Sequence, residues 1–403
     1  MFLKSALGIV EIFMGFLLVL ILYIILVSKI SPPEVAEIEI GKRVKIAENH
    51  YILGNNWLKK NEFGIWEMYI EGAPYERGLI YGELAKELIQ KQEEIFVGQI
   101  DNFVPSQTWQ QFLRLMIGFF NKDLPDNIPL ENQKEIYGVS KAFSDDYDYI
   151  ATKYSRILNY HAAHDIGHAL NDYSMVGCTS FALKDEMSKD GKIIIGRNFD
   201  FFVGDDFAEE KIILFVKPDK GHAFVSYSWA GFTGVVSGLN DKGLSVTINA
   251  SKSDLPTSSK TPISILAREI LQYARTTDEA IAIAKKRQTF VSETLLISSK
   301  EDGKSILIEK SPAKTGVFES KTNVLICSNH YQSETFIHDK RNKDNIKESD
   351  SKYRYNRVQE LLLGLSHLTP ENVAAVLRNQ YAENKDTLGM GNPRAINQLQ
   401  AHH

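Results

Sequence analysis

The stretch Gly177-Cys178-Thr179-Ser180-Phe181-Ala182, followed by Ile193-Ile194-Ile195-Gly196-Arg197-Asn198-Phe199-Asp200-Phe201, decides how the chain is read. It reads as a strand that begins at a cysteine, a turn, and a second strand that ends in Arg and Asp. Cys178 has two readings. It is a core residue, since free Cys is among the most buried residue types, or it is a nucleophile at a strand end. A thiol titrates near 8.5, so a nucleophilic Cys178 needs help to ionise at neutral pH. Cleavage of the chain before Cys178 would supply that help. The new α-amino group, titrating at about 7.7–8.0, would lie one residue from its own thiol and serve as a base without a histidine. Gly177 offers an uncrowded scissile bond.

Arg197 and Asp200 are three apart, which puts them on opposite faces of a regular strand. They share a site only if the strand ends or bulges between them. In that case Asp200 would hold the amine, and Arg197 would favour the thiolate. Otherwise they are a surface Arg and a turn Asp. Asn249 closes the strand Leu244–Ile248, and Asn329 closes Val324–Ser328. Their amides suit an oxyanion hole, although asparagine is also common in turns.

Other features carry less. His161, His164 and His168 share a helix face, but no zinc motif accompanies them, and no metal or other cofactor is expected. Cys327 reads as strand core. Gly231-Phe232-Thr233-Gly234 reads as a hairpin turn. Arg354 and Arg357 read as helix charges. Ser180 lacks the Gly-x-Ser-x-Gly setting of a hydrolase elbow.

Around this centre the 403-residue chain has a globular composition, two cysteines and a net charge of −5. That excludes a disulfide framework and a general basic field for nucleic acid. Residues 5–28 are almost wholly apolar, interrupted by Glu11. They read as an uncleaved membrane anchor rather than a cleaved signal peptide. The body is expected to face outward, although Lys29, Lys42, Arg43 and Lys45 argue the other way. Residues 36–72 read as short strands. Residues 72–170 read as mostly helical, in segments to about Val97, then Trp109–Phe120, Pro129–Phe143 and Asp146–Leu170. From Cys178 strands dominate. They are interrupted by helices at 262–275 and 277–288, an exposed loop at His338–Ser351, and helices at 352–365 and 370–381. Two sheets packed together with helices outside follow from this order.

Four motifs in order then carry a resemblance: Gly-Cys-Thr-Ser-Phe-Ala, Gly-Arg-Asn-Phe-Asp-Phe, Asn-Asp-Lys-Gly-Leu and Ser-Asn-His-Tyr. The chain resembles the N-terminal-nucleophile (Ntn) hydrolases, in the penicillin acyltransferase-like (isopenicillin-N acyltransferase) autoproteolytic branch. Choloylglycine hydrolase and acid ceramidase are its relatives. Gly72-Ala73-Pro74-Tyr75-Glu76-Arg77-Gly78, with Gly82, is similar to that branch's pro-segment. The resemblance implies an α+β fold, an αββα sandwich, made as an inactive precursor. Its parts would be an anchor at 1–30, a linker and helical pro-segment at 31–177, and a catalytic domain at 178–403. Cleavage between Gly177 and Cys178 would leave two associated chains. Carried over by motif, Cys178 is the nucleophile, with Arg197, Asp200, Asn249, Asn329 and Arg354 around it. The substrate would be a small N-acyl amide, hydrolysed or transferred through a thioester. Proteins similar in this way usually continue past Ala401-His402-His403. The catalytic domain therefore reads either as C-terminally incomplete or as a shortened member with an uncovered sheet edge. Two rival readings are a membrane-tethered scaffold of the same fold without turnover, and a thiol peptidase.

Overall fold

A computed structural model describes residues 2–162, 165, 177–201, 204–254, 256 and 258–398, with side chains from residue 11 onward. The first helix is α1 (Phe2–Val27). Four short strands follow: β1 (Val44–Ala47), β2 (His50–Leu53), β3 (Asn56–Lys60) and β4 (Trp66–Gly72). Five helices come next: α2 (Pro74–Leu84), α3 (Lys86–Phe103), α4 (Gln107–Phe120), α5 (Leu130–Ser140) and α6 (Lys153–His161). The strands β5 (Thr179–Asp185), β6 (Gly191–Asn198), β7 (Lys211–Pro218), β8 (Phe224–Trp229), β9 (Ser237–Asn240) and β10 (Leu244–Ala250) lead to α7 (Ile263–Tyr273) and α8 (Thr277–Lys286). Then come β11 (Glu293–Ser299), β12 (Lys304–Lys310), β13 (Thr315–Glu319), β14 (Val324–Cys327), α9 (Lys340–Glu348), α10 (Ser351–Leu362) and α11 (Pro370–Leu377).

The fold is mixed α and β. Eleven strands form one sheet in the order β1-β2-β3-β4-β7-β8-β9-β10-β11-β12-β13, and three form a second, β14-β5-β6. α7 and α8 pack on the large sheet, α10 and α11 on the small one, and β5 lies against β10 and β11 between them. Every residue of β10 and β11 is buried. Strands covered on both faces need not alternate polar and apolar residues, which is why Ser245, Thr247, Asn249, Glu293 and Thr294 sit inside them.

One feature departs from expectation. The segment 338–351 is not a loop throughout, because Lys340–Glu348 forms α9. Asp339 caps it, accepting from the Asn342 N–H at 3.0 Å. The short strands at residues 44–72, expected as strands, also lie in the large sheet, a placement the sequence did not show. β4 pairs in parallel with β7 from Trp66↔Ile212 to Gly72↔Pro218 and so joins the large sheet.

Several quoted motifs have structural roles. In Asn-Asp-Lys-Gly-Leu, Asn240 accepts from Lys242 and Leu244 N–H. It donates to Leu271 and Ala274 O at 2.9 and 2.7 Å, fastening α7 to the turn. In Gly-Ala-Pro-Tyr-Glu-Arg-Gly, Arg77 reaches Glu135 on α5 at 2.5 Å, and Arg268 on α7 reaches the same oxygen at 3.2 Å. The two arginines hold the Glu135 carboxyl below its ordinary range against the opposing push of burial.

α1 exposes Ile12, Phe13, Phe16, Leu18 and Leu22. Among the described residues, no helix is long and apolar enough to cross a membrane. The expected spanning anchor therefore has no support from the fold.

Candidate active site

Cys178 directly precedes β5 and is fully buried as a free thiol. Period two puts its side chain on the same face as Ser180. That face meets β10: Ser180 Oγ donates to Asn249 Oδ1 at 2.9 Å, and the Ala250 N–H reaches towards the Cys178 sulfur. Burial pushes the thiol up to about 11. Arg197 pulls it down, and Asp200 and Glu293 push it further up. In the uncleaved chain the thiol is thus protonated at neutral pH.

Gly177 is held from both sides. Its N–H donates to the Asp200 carbonyl at 2.9 Å, and a Cβ on it would lie 2.5 Å from the Gln398 amide. A larger residue there would have to displace the Gln398 side chain.

Strand β6 ends at Asn198, between Arg197 and Asp200, which meets the condition for both to reach one site. Arg197 pairs with Ser180 across the strands. Its guanidinium donates to Ser237 Oγ at 2.8 Å and Ile248 O at 2.6 Å, and sits over the Phe199 ring. The arginine thereby ties the small sheet to the large one. Burial lowers it to about 10, so it stays charged at neutral pH. The Asp200 carboxyl is buried, and neither oxygen has a hydrogen-bond partner among the described residues. Burial raises it to about 7, while Arg354 and Arg197 pull it down.

The two asparagines differ. Asn329 is engaged throughout. Its Nδ2 donates to Ala250 O at 2.9 Å, its Oδ1 accepts from Arg354 at 2.6 Å, and its backbone N–H donates to Ser351 Oγ at 2.7 Å. Asn249 accepts from Ser180, and its buried Nδ2 has no partner among the described residues. Arg354 enters from α10 and also donates to Pro393 O. All six sequence candidates therefore lie in or around one buried region between the sheets.

Three neighbours of this region went unread in the sequence, the Ala250 N–H, Glu293 and Asp165, and Ser180 was set aside there as lacking a hydrolase elbow. Ser180 had a signal, since it shares the period-two face of Cys178. Glu293 is paired with Ala250 across β10 and β11. A carboxylate opening an otherwise neutral strand was its only mark. Asp165 is buried, and its Oδ1 accepts from the Ile263 N–H at 3.1 Å, at the start of α7. Burial raises both carboxyls, Asp165 to about 8.

The histidine row falls elsewhere. His161 is buried. Its Nδ1 lies 2.8 Å from Ile157 O, and its Nε2 accepts the Thr233 N–H at 2.9 Å. His164 and His168 lie outside the described residues, and no metal-holding cluster is present among the described ones. An aromatic recess opens beside Phe201, walled by Phe96, Phe143, Phe207, Trp229 and Phe232.

A family model described as acyl-coenzyme A:6-aminopenicillanic acid acyl-transferase matches residues 187–388, just over half of the chain. The chain belongs to this family. The matched span of the acyl-transferase family model includes Arg197, Asp200, Asn249, Asn329 and Arg354, and begins after Cys178. An uncharacterized protein of Archaeoglobus fulgidus is 25% identical over 340 residues, covering 74% of this chain and 55% of its own. The chain thus spans about half the length of the curated relative it matches. Similar solved structures include the Caenorhabditis elegans ortholog of N-acylethanolamine-hydrolyzing acid amidase. It is 18% identical with a TM-score of 0.38, covering 50% of this chain and 85% of that one. Penicillin V acylase from Agrobacterium tumefaciens is 16% identical with a TM-score of 0.31, covering 56% and 71%.

Proposed function

We propose that the chain is the precursor of a self-processing cysteine hydrolase or acyltransferase with the αββα Ntn architecture. In this reading it acts on N-acyl amides. The observation that carries it is the fully buried Cys178 on the face that meets β10 through the Ser180–Asn249 bond, with Asn249 Nδ2 left without a partner among the described residues, beside a Gly177 whose N–H is held by the Asp200 carbonyl. Cys178 Sγ attacks the Gly177 carbonyl, the C–N bond breaks, and water resolves the thioester, leaving Cys178 as a new N-terminus. Its α-amine lies next to the thiol and takes the thiol proton during turnover. Asp200 holds that amine. Burial pushes an isolated thiol the wrong way, so the freed amine is what makes Cys178 reactive.

In turnover the thiolate adds to an amide carbonyl, and the oxyanion is met by Asn249 Nδ2 and the Ala250 N–H. The amine leaves with a proton from the α-amino group, and water or an acceptor amine takes the acyl group. Asn329 supports this arrangement by holding Ala250 and Arg354. Intact mass and a denaturing gel test the reading: two chains are expected, the second beginning at Cys178, and one chain in Cys178→Ala. An active protein that stays a single unprocessed chain would sink it.

α1 is proposed to tether the precursor to a membrane, on the strength of its exposed apolar side chains. Full-length protein should pellet with carbonate-washed membranes, and a form lacking residues 1–30 should not. The buried thiol also suits a second reading, a tethered scaffold without turnover. That reading predicts no cleavage and no acyl labelling of Cys178.

A further inference from the structure

A catalytic amide has an orientation to be fixed. The side chain of asparagine is nearly symmetric in shape, and turning it end for end exchanges an acceptor for two donors. Its hydrogen bonds decide which end faces a site. Asn249 is fully buried, so its orientation rests on its protein neighbours and not on solvent. Ser180 Oγ supplies the bond that the described residues show, donating to Oδ1 at 2.9 Å. Nδ2 is left over, buried and unpartnered among the described residues. Ser180 is itself fixed. It is fully buried, pairs with Arg197 on one side and Cys327 on the other, and stands two residues from Cys178 on the same face.

We propose that Ser180 is the positioning residue of the oxyanion site: its hydroxyl holds the Asn249 amide with Oδ1 turned to β5 and Nδ2 presented beside Cys178. The assignment rests on the reading of Cys178 as nucleophile. A hydroxyl can also accept, so the bond holds the productive orientation while Ser180 donates to Oδ1 and leaves Nδ2 for the developing negative charge. Without the hydroxyl the amide loses this anchor, and turning Oδ1 towards the charge repels it. Ser180 therefore acts through Asn249 and not on the substrate.

The test uses the processed protein and two reagents for one thiol. With p-nitrophenyl acetate, a bond forms between Cys178 Sγ and the acetyl carbon, and p-nitrophenolate leaves. The thiol proton goes to the Cys178 α-amine. The carbonyl oxygen becomes an oxyanion on the way. Iodoacetamide alkylates the same sulfur at a saturated carbon, with iodide leaving and no oxyanion. Mass spectrometry of the second chain and the release of p-nitrophenolate follow each rate.

Removing an oxyanion donor outright costs about 100-fold or more, so releasing its orientation in Ser180→Ala should slow acetylation on the order of tenfold. Alkylation should stay within about twofold of the parent, the scatter expected for a site left intact. Ser180→Thr should keep the acetylation rate, and Ser180→Val, matching it in shape without the hydroxyl, should lose it. In an Asn249→Ala background, Ser180→Ala should add nothing.

Acetylation at the parent rate in Ser180→Ala and Ser180→Val overturns the assignment. So does equal slowing of acetylation and alkylation, or an independent loss in the double variant. Failure of the underlying reading looks different: the parent takes no acetyl on Cys178, or Asn249→Ala acetylates at the parent rate. Either outcome removes the oxyanion site and the role of Ser180 with it.

Discussion

At the scale of single residues, burial fixes protonation states that the sequence does not display. His161 is held neutral, with its folded value lowered to about 4 because the interior disfavours a charged ring. The unfolded chain takes up that proton near 6.5, and the folded chain resists it until about 4. Stability contributed by the neutral ring is therefore complete above 6.5 and lost as pH falls towards 4. The loss is on the order of 3 kcal/mol. His161→Gln, which keeps an acceptor for Thr233, should flatten this part of the profile. Denaturant midpoints at pH 7 and pH 4.5 measure it, and an unchanged difference would refute the assignment. His330, also lowered by burial, keeps some slope in the variant. The same rule explains what was legible at the site. Cys178, Arg197, Asp200, Asn249 and Asn329 were readable as residue types at or near strand ends, and Arg354 on its helix only through the resemblance. Which amide was free and which was spent was not readable. That depends on Ser180, Ala250 and Arg354 meeting across two sheets, and no local pattern encodes it.

At the scale of elements, α2 and α5 show how a glycine-rich motif acts through packing. A Cβ on Gly78 would lie 2.1 Å from the Glu135 carbonyl, and one on Gly138 would lie 2.5 Å from the Tyr75 carbonyl. The two helix backbones touch, and this contact sets Arg77 against Glu135. Gly78→Ala should destabilise the protein by about 3 kcal/mol or more, since backbone cannot yield as a side chain does. Gly98→Ala on α3 meets nothing within 4 Å and should stabilise it by about 0.5–1 kcal/mol. Thermal melts of the pair check the contrast, and the idea fails if both glycines respond alike. The strands from β5 to β14 were legible because turns at Gly191, Gly221 and Gly243, all at positive φ, separate them. α9 was hidden because its face is almost wholly polar. Asn342 and Asn345 are its buried residues, held by hydrogen bonds rather than apolar contact.

At the scale of the whole molecule, the proposed scissile bond would divide a chain that the sheet does not divide. β1 to β4 and α1 to α6 precede Gly177, yet β4 continues the large sheet through seven parallel pairs with β7. The contacts across the proposed break are buried and polar as well as apolar. Tyr81 accepts the Gly231 N–H at 3.1 Å, His161 accepts that of Thr233, and Asp165 that of Ile263. Glu135 lies before the break and Arg268 after it, and both are buried. Separating the chains would open the β7 edge and leave Arg268 without its carboxylate. An unpaired buried charge costs about 3–5 kcal/mol by itself. Cleavage should therefore change the covalent chain and not the assembly. An affinity tag inserted after residue 30 should retain the second chain in molar salt, where exposed ion pairs are screened. It should release that chain only in denaturant, in one transition shared by both chains. Release of the second chain by salt alone would mean that the sheet pairing and buried contacts across the break do not hold the two parts together.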